Sequence, residues 1–204
     1  MFLLWCVDVL PKVYIFVPRL VSGTGRSFGS APQQKHTRYA QLHMGLFDIF
    51  KHKTKIKGAG ATLYPDKIVI ETVDRIKNSY GVTSSNVTML KADVDSVTLG
   101  QTLRRHLDQS RDNLKTTETG DYKDYLKAAG FKTRKEHYKN AIHLTVDKRN
   151  NRISLNPTIN GGPTGKDRGF SETKETIILS TTVTDKELGD QIRYGWSKCE
   201  CNCA

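Results

Sequence analysis

The sequence predicts an α+β fold, a mostly antiparallel sheet with packed helices, built from a duplicated strand–loop–strand–helix unit. Three observations predict it. Short runs alternate apolar and polar residues at period two, and two longer runs repeat large apolar residues at helical spacing. Runs of the two kinds follow one another in the same order twice. Finally, 204 residues with 37% hydrophobic and 26% charged positions fit one domain that buries roughly two thirds of its unfolded surface.

Residues 1–43 are expected to stand outside that domain, as a disordered or non-native extension. Asp8, Pro11 and Pro18 interrupt the apolar opening, and no basic residue precedes it, which argues against a signal sequence. Residues 22–43 are rich in Gly, Ser, Gln and Pro without periodicity. Met44 begins Met-Gly-Leu-Phe-Asp-Ile-Phe-Lys-His-Lys and reads as an alternative start, so the expected domain is 44–204. Leu46, Phe47, Ile49 and Phe50 predict a short terminal helix, with a solvated basic loop through Lys57 after it. No apolar run reaches the ~18 residues that a membrane span requires.

Ile68 and Ile70 alternate with Val69 and Glu71, giving a strand near 67–73. After a loop through Asn78, a second strand places Thr88, Leu90, Ala92 and Val94 on one face. Asp95 or Ser96 then caps a helix whose stripe is Leu99, Leu103 and Leu107. Asp121 begins a short helix that Gly130 ends, and Thr133 with Glu136 marks another through Tyr138. Ile142, Leu144 and Val146 form a strand that turns at Asn150-Asn151 and returns through Ile153 and Leu155. A long Gly-rich loop leads to a strand with Ile177, Leu179, Thr181 and Val183 on one face. Thr184 with Glu187 then caps a helix carrying Leu188, Ile192 and Trp196.

A shift of 89 residues lays Leu90 on Leu179, Val94 on Val183, Leu99 on Leu188, Gly100 on Gly189 and Arg104 on Arg193. The half-repeats therefore span about 66–111 and 151–200. Glycine inside a helix costs about 1 kcal/mol relative to alanine, so Gly100 and Gly189 imply close packing, expected here against a strand.

The search for chemistry excludes more than it finds. The loop Gly161-Gly-Pro-Thr-Gly-Lys-Asp-Arg-Gly fails as a phosphate-binding Walker loop, because Asn160 and Asp167 stand where Gly and Ser or Thr are needed. It reads instead as an exposed recognition loop presenting Lys166, Asp167 and Arg168. His137 and His143 are the nearest to an acid–base cluster, yet both are expected on solvated surfaces. Cys199, Cys201 and Cys203 lack a fourth ligand for a metal, so Cys199 is read as buried at a helix end and the tail as frayed and reduced. No catalytic residue, metal or cofactor is expected.

The net charge of +11 divides into four on residues 1–43 and seven on the remainder, which permits weak attraction to nucleic acid or to an acidic protein surface. A basic nucleic-acid-binding protein is therefore the alternative reading. It would need aromatic residues interleaved with Lys and Arg on a strand face, and the strands carry Ile, Leu, Val and Thr.

The second half adds a resemblance. It runs through Gly130-Phe-Lys-Thr-Arg-Lys-Glu-His-Tyr-Lys-Asn-Ala, Ile153-Ser-Leu-Asn-Pro-Thr, Gly165-Lys-Asp-Arg-Gly-Phe-Ser and Val183-Thr-Asp-Lys-Glu-Leu-Gly. In this order the segments resemble the immunity proteins of bacterial contact-dependent growth inhibition systems, over about 66–200. The resemblance implies a cytoplasmic, non-enzymatic binder. Its partner would be the C-terminal toxin domain of a large secreted protein, often a nuclease acting on tRNA. On this reading Lys166, Asp167 and Arg168 are candidate partner contacts.

Overall fold

A segment without strand periodicity forms the middle of the sheet. The computed structural model describes residues 55–201 apart from Thr119. In it β1 (Ile56–Leu63) pairs antiparallel with β2 (Lys67–Arg75) on one side and with β4 (Ile142–Arg149) on the other. The expected basic loop thus ends inside a strand. Small residues suit this place because both faces are crowded. Ala59 and Ala61 are fully buried under helices, and a Cβ on Gly60 would collide with the Glu71 carboxylate on the opposite face.

The other expected strands are present, but the two that precede the long helices end at Lys91 and Ser180, short of Val94 and Val183. β3 (Gly81–Lys91) pairs with β2, and β5 (Arg152–Asn160) returns from β4 as a hairpin. β6 (Phe170–Glu172) and β7 (Ile177–Ser180) both pair antiparallel with β5, whereas β8 (Glu200–Cys201) pairs with it in parallel. The result is an eight-stranded, largely antiparallel sheet in an α+β fold. Within the expected frayed tail, β8 is ordered onto β5. Cys201 is disulfide-bonded, so the tail is not the reduced one expected.

Helices α1 (Ser96–Gln109) and α4 (Asp185–Trp196) cover one sheet face. Leu99, Leu103, Leu107, Leu188, Ile192 and Trp196 pack there on Ile68, Ile70, Leu144, Val146, Ile153 and Leu155. Each such aliphatic side chain contributes about 1.5–3 kcal/mol through loss of water contact. The Trp196 indole N–H also donates to the Ala61 carbonyl at 2.9 Å. Both helices are capped as their sequences imply. Asp95 accepts the Thr98 N–H at 2.9 Å, and Thr184 with Glu187 makes a reciprocal capping box. The short helices α2 (Tyr122–Ala128) and α3 (Arg134–Tyr138) cover one end of the opposite face through Tyr64, Val69, Tyr125, Leu126, Ala129 and Ala141.

Gly100 and Gly189 do pack closely, but against a helix start rather than a strand. A Cβ at Gly100 would strike the Asp185 carbonyl oxygen, and one at Gly189 would strike that of Ser96. Arg104 donates to the Val183 carbonyl at 2.8 Å, and Arg193 donates to the Val94 carbonyl. Each contact maps onto the other under the 89-residue shift. The sheet shows a related correspondence. Ile68 pairs with Leu90 as Ile153 pairs with Leu179, and Ala61 pairs with Ile70 as Val146 pairs with Leu155.

The chain divides into two units between Lys51 and His52. The expected boundary at 43/44, the start at Met44 and the terminal helix all lie outside the described residues.

Candidate functional site

The sheet face away from α1 and α4 is only half covered. Beyond α2 and α3 it opens into a cleft of about 460 Å³ whose lining includes Glu71, Arg75, Tyr80, His143, Asp147 and Phe170. Strand alternation places these side chains. Ile70 and Leu144 point to the helices, so Glu71 and His143 point the other way. Gly58 and Gly60 between them add no side chain to the floor.

Glu71 is the least expected residue of the cleft, being 3% exposed. Its Oε2 has no hydrogen-bond partner among the described residues, and its Oε1 lies 3.9 Å from His143 Nδ1, beyond hydrogen-bonding range. Burial pushes its pKa up to about 8, because a carboxylate loses its hydration without gaining donors. His143 Nδ1 is engaged at 2.8 Å by the Thr62 hydroxyl, and the ring stacks on Phe170 with centroids 4.4 Å apart. At the outer part of the cleft Arg75 and Asp147 form an ion pair at 2.5 Å. Tyr80 beside them is 67% exposed.

The two histidines expected at the surface are both inside. The Tyr64 hydroxyl lies 3.0 Å from His137 Nδ1 and donates to the His137 carbonyl at 2.8 Å. The His137 ring also meets Tyr125, Phe131 and Phe170 edge-on. Burial pushes His137 down to about pKa 4 and His143 down to about 3. Both are therefore neutral at pH 7. Alternation does turn His143 away from Leu144, but aromatic side chains cover that face where solvent was expected.

Lys166, Asp167 and Arg168 lie exposed on the loop between β5 and β6. Two main-chain bonds close its neck: the Gly161 N–H donates to the Gly169 carbonyl at 2.9 Å, and the Gly169 N–H to the Gly162 carbonyl at 2.8 Å. A side chain at Gly161 would collide with the Asp167 carbonyl. The loop leads directly into Phe170, so it shares a wall with the cleft. Sequence reasoning found the loop and missed the cleft. The available signal was a carboxylate following Ile68-Val69-Ile70 in a strand otherwise fit for burial.

Cys199 is half buried, and its thiol approaches the His143 carbonyl at 3.1 Å. No cluster of three or more metal-ligating side chains occurs among the described residues, and no helix among them is long and apolar enough to cross a membrane.

The family model described as CDI immunity protein matches residues 57–199. That range contains the cleft, the loop and the helix pair. Among solved structures the fold is similar to a protein of unknown function, NMB0488, from Neisseria meningitidis, with a TM-score of 0.62 and 21% identity. That match covers 72% of this chain and 96% of the other. It is also similar to a chain of the CdiA-CT/CdiI toxin and immunity complex from Yersinia pseudotuberculosis, with a TM-score of 0.54 and 17% identity over 72% and 98% of the two chains. No curated protein matches the sequence.

Proposed function

Since the chain belongs to the CDI immunity protein family, we propose that it binds and neutralises the C-terminal toxin domain of a contact-dependent inhibition protein. The family match carries this reading. The match extends over almost all of the described fold, including the cleft and the exposed loop that leads into its Phe170 wall. The protein acts in the cytoplasm, where a delivered toxin would meet its target, and it works by occupying the toxin rather than by turning over a substrate. A standard interface of about 1,600 Å² in total, with a few aromatic or arginine anchors, would suffice.

The toxin is a nuclease on this reading, with tRNA as the candidate substrate. A nuclease presents basic residues to phosphate, whereas this chain is basic overall. Local charge eases the conflict: the cleft lining sets Asp147 and Glu172 against Arg75, with the Glu71 carboxyl on its floor able to ionise against a cation. Lys166, Asp167 and Arg168 add a second contact region beside it.

Co-expression with the cognate toxin domain tests the proposal. Rescue of growth and co-purification of the pair are expected, and absence of both overturns it. Within such a complex, Lys166→Glu with Arg168→Glu should weaken binding at least tenfold by calorimetry. Unaltered affinity would remove the loop from the interface.

A further inference from the structure

We infer that the cleft is a receptor for one lysine or arginine side chain of the partner protein, with the Glu71 carboxylate as its terminal acceptor. The identity of that partner rests on the immunity reading above; the chemistry of the receptor rests on the cleft alone.

Buried polar atoms in folded proteins almost always have partners. Glu71 Oε2 has none among the described residues although it lines an open cleft. Among the described residues none is placed to supply a donor. Gly60, beside Glu71 on the neighbouring strand, has no side chain, and His143 Nδ1 is held by Thr62. A donor therefore has to come from outside, on a stem long enough to reach the floor.

The walls and the mouth select its chemistry. Phe170, fixed by stacking on His143, and the exposed Tyr80 offer aromatic surface to an aliphatic stem and a cation. Asp147 and Glu172 add negative charge, while Arg75 is already engaged by Asp147. A phosphate group entering here would meet three carboxyl groups. A neutral apolar side chain would leave the Glu71 carboxyl buried without a donor. An ammonium or guanidinium group satisfies every feature of the site.

Entry of the cation moves a proton. Burial holds Glu71 as the neutral acid at pH 7, so the bound ion pair forms as the carboxyl proton leaves to solvent. The groups packed around Glu71 do not titrate in the same window. His143 of β4 is neutral above pH 4, and Tyr64 beyond β1 and Tyr122 and Tyr125 of α2 are pushed upward by burial. The other charged groups facing the cleft are Asp147, Glu172 and Arg75, with Arg75 paired to Asp147. Affinity for a cation should therefore rise about tenfold between pH 7 and pH 9 and level off above Glu71's own pKa.

The test uses the full chain in two arms. In the first, N-acetyl-arginine methylamide, N-acetyl-lysine methylamide and the uncharged N-acetyl-citrulline methylamide are titrated while amide resonances are followed. Saturable shifts at Gly58 and Gly60 are expected for a charged probe, tenfold weaker in Glu71→Gln and two- to threefold weaker in the exposed Glu172→Gln. Shifts that citrulline reproduces, that Glu71→Gln leaves unchanged, or that fail to appear up to 100 mM overturn the inference. In the second arm, calorimetry with the toxin domain in buffers of different ionisation enthalpy reads the proton released at pH 7. Release approaching one proton is expected, with none in Glu71→Gln. A toxin that binds both forms equally, without proton release, overturns the receptor and leaves the immunity reading standing. A toxin that does not bind at all overturns the immunity reading, and the first arm then decides the receptor alone.

Discussion

Glu71 gives the stability of this fold a pH dependence opposite in sign to that of its histidines. Its folded pKa of about 8 lies above the ordinary carboxylate value. The favourable state is therefore complete below the unfolded pKa and is lost as pH rises through 8, at about 1.4 kcal/mol per pH unit in between. His106, His137 and His143 are pushed down to about 4, 4 and 3 by burial. Their contribution is complete above about pH 6.5 and is lost as pH falls through those values. His106 shows why: its two ring nitrogens lie 2.8 Å from the Thr72 and Thr88 hydroxyls, an arrangement suited to a neutral ring. The two trends should place maximum stability between pH 6 and 7. Urea unfolding across pH 5–9 measures this. In Glu71→Gln the decline above pH 7 should vanish, and an unchanged alkaline limb would show that Glu71 is ionised when folded. Residues of this kind were poorly legible beforehand. The sequence assigns a side chain to a sheet face through alternation, but it does not say whether that face is covered. His143 was placed on the right side of its strand and in the wrong environment, because the cover comes from α2, α3 and Phe170, distant in sequence.

At the scale of elements, the helix pair depends on two glycines. Alanine at Gly100 or Gly189 would press a Cβ into a main-chain carbonyl, which no rotamer change relieves. Each substitution should cost about 3 kcal/mol, the upper end for overpacking, despite alanine's better helix propensity. The two losses should be similar, since the contacts correspond. Denaturant midpoints of both variants check this, and a stabilised variant would mean that the helices separate freely. Asp95→Ala and Thr184→Ala should each cost about 1 kcal/mol through loss of an N-cap. Helix starts, leucine stripes and the β4–β5 hairpin were legible because each carries a local signal: a cap, a period or an Asn-Asn turn. β1 was not. Its Lys-Gly-Ala-Gly-Ala core has neither β-branched residues nor alternation of polarity, and it is a strand because partners on both sides satisfy its backbone. β6 and β8, of three and two residues, are too short to show a period at all.

Across the whole molecule, the matching registers and reciprocal helix contacts are what a duplicated unit would leave. We propose duplication as their origin, with a pseudo-two-fold axis between β1 and β4. Such a fold is joined along one seam, made of the β1–β4 pairing and the α1–α4 contact. A chain nicked beside the exposed Gly120 should therefore remain one folded species by gel filtration and circular dichroism. Separation of the fragments under native conditions would show that covalent connection, not the seam, holds the halves together. The order of elements in the two halves was legible from the sequence, and the matched contacts were not, since no local pattern specifies which helix a glycine will meet.

The neck of the β5–β6 loop also bears on how recognition by this scaffold can change. Both bonds that close it come from the main chain, and the collision that excludes a side chain at Gly161 is with a main-chain oxygen as well. Apart from Gly165, whose backbone is left-handed at φ +94°, the identities of residues 163–168 are thus decoupled from the hydrophobic interior. On the proposed reading of this loop as a partner contact, the tip is an interchangeable cassette on a sealed collar, through which a lineage could exchange one adversary for another without refolding the body beneath.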